Sequence, residues 1–193
     1  MRLLLLTLPL ALLPFAPAHA NEHTHGHDHD EHTSLDAHEH GSASLNIALE
    51  GNTLELELDS PAMNLLGFEH AAHSTADRAK LASVKSLLEQ PQQLFTLPAA
   101  ANCQITSSEL HSPLFEPESA DHAHEHEHEH EHEHSDIEAH YQFSCANPQA
   151  LDNLSLAAFF QQFAGMEKLQ VQLISTTGQS GKTLTASDNL LPL

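Results

Sequence analysis

The chain has 193 residues, with 27 acidic residues against only 6 basic ones and a formal net charge of −21 at pH 7. A chain this acidic is repelled by nucleic acid and by anionic lipid, and it attracts cations. We therefore expect no nucleic-acid partner and no direct insertion into a membrane. The composition also includes 19 histidines, whose neutral side chains are common ligands for transition metals.

Residues 1–20 have the features of a cleaved secretory signal peptide. Arg2 precedes an apolar run, and the run ends in the small-x-small sequence Ala18-His19-Ala20. The run is short and holds three prolines, whereas a membrane-spanning helix needs about 20 apolar residues. The expected mature chain starts near Asn21 and is exported, with five basic and 27 acidic residues and a formal net charge of −22.

Residues 21–43 form a polar, histidine-rich N-terminal segment without any hydrophobic period. Such a segment holds too little apolar surface to offset the entropy lost on ordering. We expect it to be disordered when no metal is bound. Its seven histidines are His23, His25, His27, His29, His32, His38 and His40.

The globular domain is expected over residues 44–193 and begins with a β-hairpin. Apolar and polar residues alternate over residues 45–49 and again over residues 54–58, on either side of the turn sequence Gly51-Asn52. This pattern predicts two antiparallel strands with one buried face and one acidic, solvated face.

Further along the chain, residues 62–70 are interpreted as a loop or short turn. Thr75 is the expected N-cap of a helix over residues 76–89. Strands are expected over residues 103–111, 137–145, 169–173 and 183–186, with Gly178 and Gly181 bracketing a turn. The predicted class is α+β, mainly antiparallel sheet with one substantial helix, interrupted by a disordered insertion rich in His and Glu at residues 117–136.

The two cysteines, Cys103 and Cys145, both lie in predicted strands. An even pair in an exported chain is typical of a disulfide that joins neighbouring strands. The alternative is a pair of thiolate metal ligands, which an oxidising compartment disfavours.

The insertion carries the strongest chemical signal in the sequence. Seven imidazoles occupy alternate positions, and five glutamates between them raise the local cation concentration. The donors suit Zn²⁺, while Ni²⁺ and Cu²⁺ stay open because imidazole binds all three. The histidines are His122, His124, His126, His128, His130, His132 and His134.

A tighter site needs donors at fixed positions on the domain. His70 is the preferred candidate, because it follows Gly67-Phe68 where a loop leaves the hairpin. His134 and Asp136 come next, because the insertion joins a predicted strand there. The other available donors are His73, His111, His140, Glu69 and Glu138.

Two rival functions differ in class from metal capture. A metal-dependent enzyme is disfavoured because, outside the His/Glu repeat of residues 122–134, no compact ligand motif such as His-Glu-x-x-His is present. The other rival is a secreted structural or interaction protein that binds metal incidentally.

The chain resembles the ZrgA-type periplasmic zinc-uptake proteins of Gram-negative bacteria. The resemblance is carried mainly by Leu45-Asn46-Ile47-Ala48-Leu49-Glu50-Gly51-Asn52 and by Ser60-Pro61-Ala62-Met63-Asn64-Leu65-Leu66-Gly67-Phe68-Glu69-His70. It implies a periplasmic protein that captures, buffers or delivers Zn²⁺ to an inner-membrane metal transporter or its components. It also implies zinc ligation by His70 and by the join at His134 and Asp136, with His38 and His40 as further candidates before the first strand.

Overall fold

The computed structural model describes residues 39–116 and 135–193. The expected signal peptide, the candidate ligand His38 and all seven histidines of the insertion lie outside the described residues. Within the described ranges, no helix is both long and apolar enough to cross a bilayer.

The described chain contains eight strands and three α-helices. In chain order they are β1 (Ser42–Glu50), β2 (Thr53–Pro61), α1 (Ala62–Leu66), α2 (Thr75–Leu88), β3 (Cys103–His111), β4 (Asp136–Cys145), β5 (Asn153–Ser155), α3 (Ala157–Gln162), β6 (Lys168–Ser175), β7 (Gly178–Leu184) and β8 (Leu190–Pro192). Single 3₁₀ turns occur at Pro91–Gln93, Ala99–Ala101, Pro113–Phe115 and Pro148–Ala150.

Six strands form the main sheet in the order β3-β4-β2-β1-β6-β7, and β5 pairs with β8 in a second, two-stranded sheet. All neighbouring strands of the main sheet are antiparallel except β1 and β6, which are parallel. The α+β prediction is confirmed, with sheet dominating and α2 as the one substantial helix.

The predicted hairpin is confirmed as β1 and β2. Ser44 lies opposite Asp59 at one end of the pair, and Glu50 lies opposite Thr53 at the other. Leu54, Leu56 and Leu58 are almost completely buried, while the acidic residues between them are exposed. The period of two therefore defines a covered face and an open face of the sheet.

The core lies between the covered face and the segments that follow α1. Tyr141 on β4 is buried, and its hydroxyl donates a 2.9 Å hydrogen bond to the carbonyl of Leu88, the last residue of α2. Burial raises the pKa of Tyr141, so the phenol stays protonated and keeps this bond. The rings of Phe95 and Phe159 stack at 5.8 Å in the same core.

Three local predictions were wrong. Residues 62–66 form the short helix α1 rather than a loop, ending at Gly67 with the left-handed φ of 84° that glycine tolerates. The N-cap of α2 is Ser74 rather than Thr75, because the Ser74 hydroxyl accepts from the Asp77 amide in a capping box. Gly178 and Gly181 lie inside β7, where pairing with β6 outweighs the local preference of glycine for turns.

The predicted disulfide is confirmed. Cys103 and Cys145 are directly paired residues of β3 and β4, and their sulfurs are bonded. The bond joins the edge strand β3 to β4 at the end of the pair opposite to the histidine-rich insertion. It therefore closes a loop that contains the whole insertion.

Replacing both cysteines with alanine should lower the free energy of unfolding by about 4 kcal/mol. The reason is that the disulfide closes a loop with a sequence separation of 42 residues, which restricts the unfolded chain in the entropy model. Urea unfolding with and without reductant measures the effect. Reductant should destabilise the wild type and leave the double variant unchanged, and two reactive thiols in the unfolded, unreduced wild type would contradict the assignment.

Candidate metal centre

The strand topology brings the attachment points of both histidine-rich segments to one end of the main sheet. We call it the tract end: it is formed by the first residues of β1 and β4 and the last residues of β2 and β3. The register shows this directly, since Ser44 pairs with Asp59, Pro61 with Asp136, and His111 with Glu138. The N-terminal segment enters β1 at this end, and the insertion leaves β3 and returns to β4 there.

A buried asparagine holds the tract end together. Asn64 of α1 is 4% exposed, and its side-chain oxygen accepts a 2.6 Å hydrogen bond from the amide of Gly41. Its side-chain nitrogen donates to the carbonyl of Ser42 at 2.8 Å and to the hydroxyl of Ser60 at 3.2 Å. These bonds fix the entry to β1 against α1 and the end of β2.

Gly165 packs against the same helix. A Cβ atom there would lie 2.9 Å from the carbonyl oxygen of Asn64. Any larger residue would push the segment before β6 away from α1. The close approach therefore adds a backbone contact at Asn64 to the hydrogen bonds that its side chain makes.

The fixed entry to β1 places His40 beside Glu69. Nε2 of His40 lies 3.1 Å from Oε1 of Glu69, although the two residues are 29 positions apart in sequence. The Glu69 side chain is only 10% exposed, while that of His40 is 49% exposed. An imidazole open to solvent thus faces a largely buried carboxylate.

His70 presents a ring nitrogen in a form suited to metal binding. Its ring stacks on Phe68 with centroids 5.0 Å apart, and its Nδ1 lies 2.9 Å from the carbonyl oxygen of Ala71. A carbonyl oxygen only accepts, so this hydrogen bond requires the proton on Nδ1. In the neutral ring the lone pair is then on Nε2, which is the arrangement that ligating histidines adopt.

The loop that carries His70 is held by the start of α2. Arg78 donates a 2.6 Å hydrogen bond to the carbonyl of His73. The Ser74 hydroxyl lowers the pKa of Asp77 through its hydrogen bond, with smaller contributions from the charges of His70 and His73. The loop is therefore tied at both ends, to α1 by Gly67 and to α2 by the capping box.

Asp136 is half-buried at the start of β4. It lines a cavity of about 520 Å³ together with His111, Glu116 and Glu138. Glu116 is the last described residue before the insertion, and Ser135 is the first after it. The carbonyl of Ser135 accepts a 2.8 Å hydrogen bond from the amide of Ala62, which fixes the return of the chain to the sheet.

The structure brings two pairs of the predicted donors close together. His40 contacts Glu69, and the rings of His111 and His140 lie 6.3 Å apart on the open face of the sheet. Across residues 39–116 and 135–193, no three His, Cys, Asp or Glu side chains are already arranged to hold a metal ion. A site on the described domain must therefore close around its ion by side-chain rotation.

Sequence reasoning did not identify the roles of Glu69 and Asn64. Glu69 was counted among the available carboxylates, but its contact with His40 depends on the path of the chain through α1. A signal for Asn64 was present in the sequence, since it is a single polar residue within the apolar run Ala62–Leu66. A polar residue at such a position is usually buried with its hydrogen bonds satisfied.

Asn64→Ala should lower the free energy of unfolding by about 3 kcal/mol. The substitution leaves the amide of Gly41 and the carbonyl of Ser42 buried without their partner, and such groups are costly. Asn52→Ala is the matched control, because the exposed Asn52 side chain makes one hydrogen bond, to Ser144, and should cost less than about 0.5 kcal/mol. Equal losses for the two variants in urea unfolding would show that Asn64 does not hold the tract end.

Residues 37–193 match the family described as ZrgA family zinc uptake protein. A comparison with curated proteins gave no match. The matched range includes every described residue and the insertion. It begins three residues before His40, so the whole tract end lies within it. The chain belongs to the ZrgA family of zinc uptake proteins.

Proposed function

We propose that the protein captures Zn²⁺ in the periplasm, buffers it on its histidine-rich segments and delivers it for uptake. The observation that carries this proposal is the convergence at the tract end. The residues that flank both histidine-rich segments, Glu39 on one side and Glu116 and Ser135 on the other, lie at the same end of the sheet as the His40–Glu69 pair. Ions gathered by either segment are thus close to a fixed pair of donors.

The His40–Glu69 contact has nearly the geometry of two ligands on one zinc ion. Tetrahedral zinc with N and O ligands at its usual bond lengths separates the two donor atoms by about 3.4 Å. The observed separation between Nε2 and Oε1 is 3.1 Å. A zinc ion can therefore replace the proton between these atoms after a movement of a few tenths of an ångström.

His70 is the proposed third ligand. It adjoins Glu69 on the same tethered loop, and the hydrogen bond from its Nδ1 leaves Nε2 able to coordinate. Asp136 is the proposed further carboxylate, because it begins β4 at the tract end. His134 and His38, predicted as partners of this site, lie outside the described residues and remain predictions.

A fixed site on the domain and the two histidine-rich segments have complementary properties. A segment without a core must lose conformational entropy to bind, which lowers its affinity. Donors held by Asn64, Gly67 and the α2 capping box have already lost most of that freedom. The histidine-rich segments thus supply the capacity to bind many ions, and the donors on the domain supply affinity. Because imidazole must be deprotonated to bind metal, affinity should fall in mild acid.

Zinc is the proposed cargo, with nickel or copper as the alternative. Imidazole and carboxylate donors accept all three metals, and copper is intrinsically favoured at such sites. The family description names zinc, which favours zinc here. Delivery to an inner-membrane transporter or its components is the proposed onward step, and export across the inner membrane follows from the predicted signal peptide.

Glu69→Gln should weaken the tightest zinc-binding phase by about 10- to 100-fold, as is typical when a ligand or its supporting carboxylate is lost. A competition titration with a chelator of known affinity measures this phase. Glu50→Gln is the control, since Glu50 is an exposed carboxylate at the opposite end of β1. An unchanged tightest phase in the Glu69 variant would exclude this carboxylate from the site.

Deletion of residues 121–134 should remove several bound ions while leaving cooperative unfolding intact. The segment connects two paired, disulfide-linked strands, and loop length changes stability only slightly. Mass spectrometry of the intact protein under native conditions counts the ions. Loss of cooperative unfolding would show that the segment is structural, and normal growth of the deletion strain in zinc-poor medium would favour the incidental-binding alternative.

A further inference from the structure

The open face of the main sheet carries a second group of metal donors, away from the His40–Glu69 pair. Glu109 of β3 lies opposite His140 of β4, and His111 lies opposite Glu138. Directly paired residues point to the same side of a sheet. The four side chains thus form a two-by-two square, with the histidines on one diagonal and the glutamates on the other.

The two imidazoles are within reach of a common ion. Their ring centroids are 6.3 Å apart and the rings are inclined at 77°. Two imidazoles bound tetrahedrally to one zinc ion have centroids about 5.2 Å apart, from the usual Zn–N distance and ring size. The required movement of about 1 Å needs only side-chain rotation, because the four residues sit on paired strands whose backbone stays fixed.

The charge of the surroundings favours a cation. On the neighbouring strand β2, Glu57 lies directly opposite His140, so a third carboxylate joins the group on the same face. The sequences of β1, β2, β3 and β4 contain no lysine or arginine. Carboxylates gathered without a basic residue on their own strands repel one another, and a divalent ion relieves that repulsion.

There is also room for an ion and its water ligands. A cavity of about 790 Å³ lies over this part of the face, and its lining includes His111, His140, Glu57 and Glu109. His140 is half-buried and the others are exposed. An ion could therefore enter from solvent without any movement of the backbone.

We infer that His111 and His140, together with Glu109 and Glu138, form a second divalent-cation site on the open face of the sheet. Imidazole with carboxylate is the donor set of zinc. The site binds more weakly than the one at the tract end, since its side chains, of which only that of His140 is half-buried, lose rotamer freedom when they close on the ion. The protein thus holds zinc at two separate places on its folded domain.

The test is a zinc titration of the full-length protein followed through the ring nitrogens of its histidines by ¹⁵N NMR. The signals of His111 and His140, assigned by single substitutions, should shift together at the same ratio of zinc to protein. In His111→Ala, the response of His140 should require at least about 10-fold more zinc. Gln104→Ala, an exposed change on the same strand, should leave the response unchanged.

Two results would overturn the site: responses of His111 and His140 at different zinc ratios, or a normal response of His140 in His111→Ala. Circular dichroism of each variant checks that the sheet is intact. In Glu69→Gln, the signals of His111 and His140 should still shift together. Failure of the site at the tract end and failure of the site on the open face are therefore separate outcomes.

Discussion

The arrangement of the proposed zinc site depends on the side-chain hydrogen bonds of one buried asparagine. Asn64 makes hydrogen bonds with the amide of Gly41 and the carbonyl of Ser42 at the point where the chain enters the sheet. A buried amide with all of these bonds made is a rigid connection, and one with a bond missing is costly. This connection sets the distance between His40, which precedes β1, and Glu69, which follows α1.

The mixed pairing of the sheet gives the site its position. β1 lies at the centre of the sheet, antiparallel to β2 and parallel to β6. Because β4 pairs with β2 and β3 pairs with β4, all antiparallel, the chain must leave β3 and return to β4 at the end where β1 begins. The histidine-rich insertion and the histidine-rich N-terminal segment are therefore joined to the same end of the sheet by topology alone.

Much of the fold was predictable because its strands alternate strictly. Alternation over residues 45–58 specified the hairpin, and paired strands made the disulfide between Cys103 and Cys145 an expected consequence. The helix α1 was not predictable, since five residues show too little helical periodicity. The start of β7 was also missed: the predicted strand covers residues 183–186, whereas β7 spans Gly178–Leu184, because its pairing with β6 overrides the glycines within it.

The candidate site was less predictable than the fold. The chemistry of its donors is visible in the sequence, and His40, His70 and Asp136 were all named from it. The contact between His40 and Glu69 was not, because it joins residues 29 positions apart through a helix that the pattern does not reveal. The square of donors around His140 depends likewise on strand register, including a shift between Ile105 and Ser107.

The most direct test of the account is to locate the first bound zinc ion. Crystals of the full mature protein with one equivalent of zinc, measured at the zinc absorption edge, give its position from anomalous scattering. The proposed site predicts a zinc ion about 2.0–2.2 Å from a Glu69 carboxylate oxygen and from a ring nitrogen of His40 or His70. A fully occupied ion held without Glu69 and without either of these histidines would contradict it.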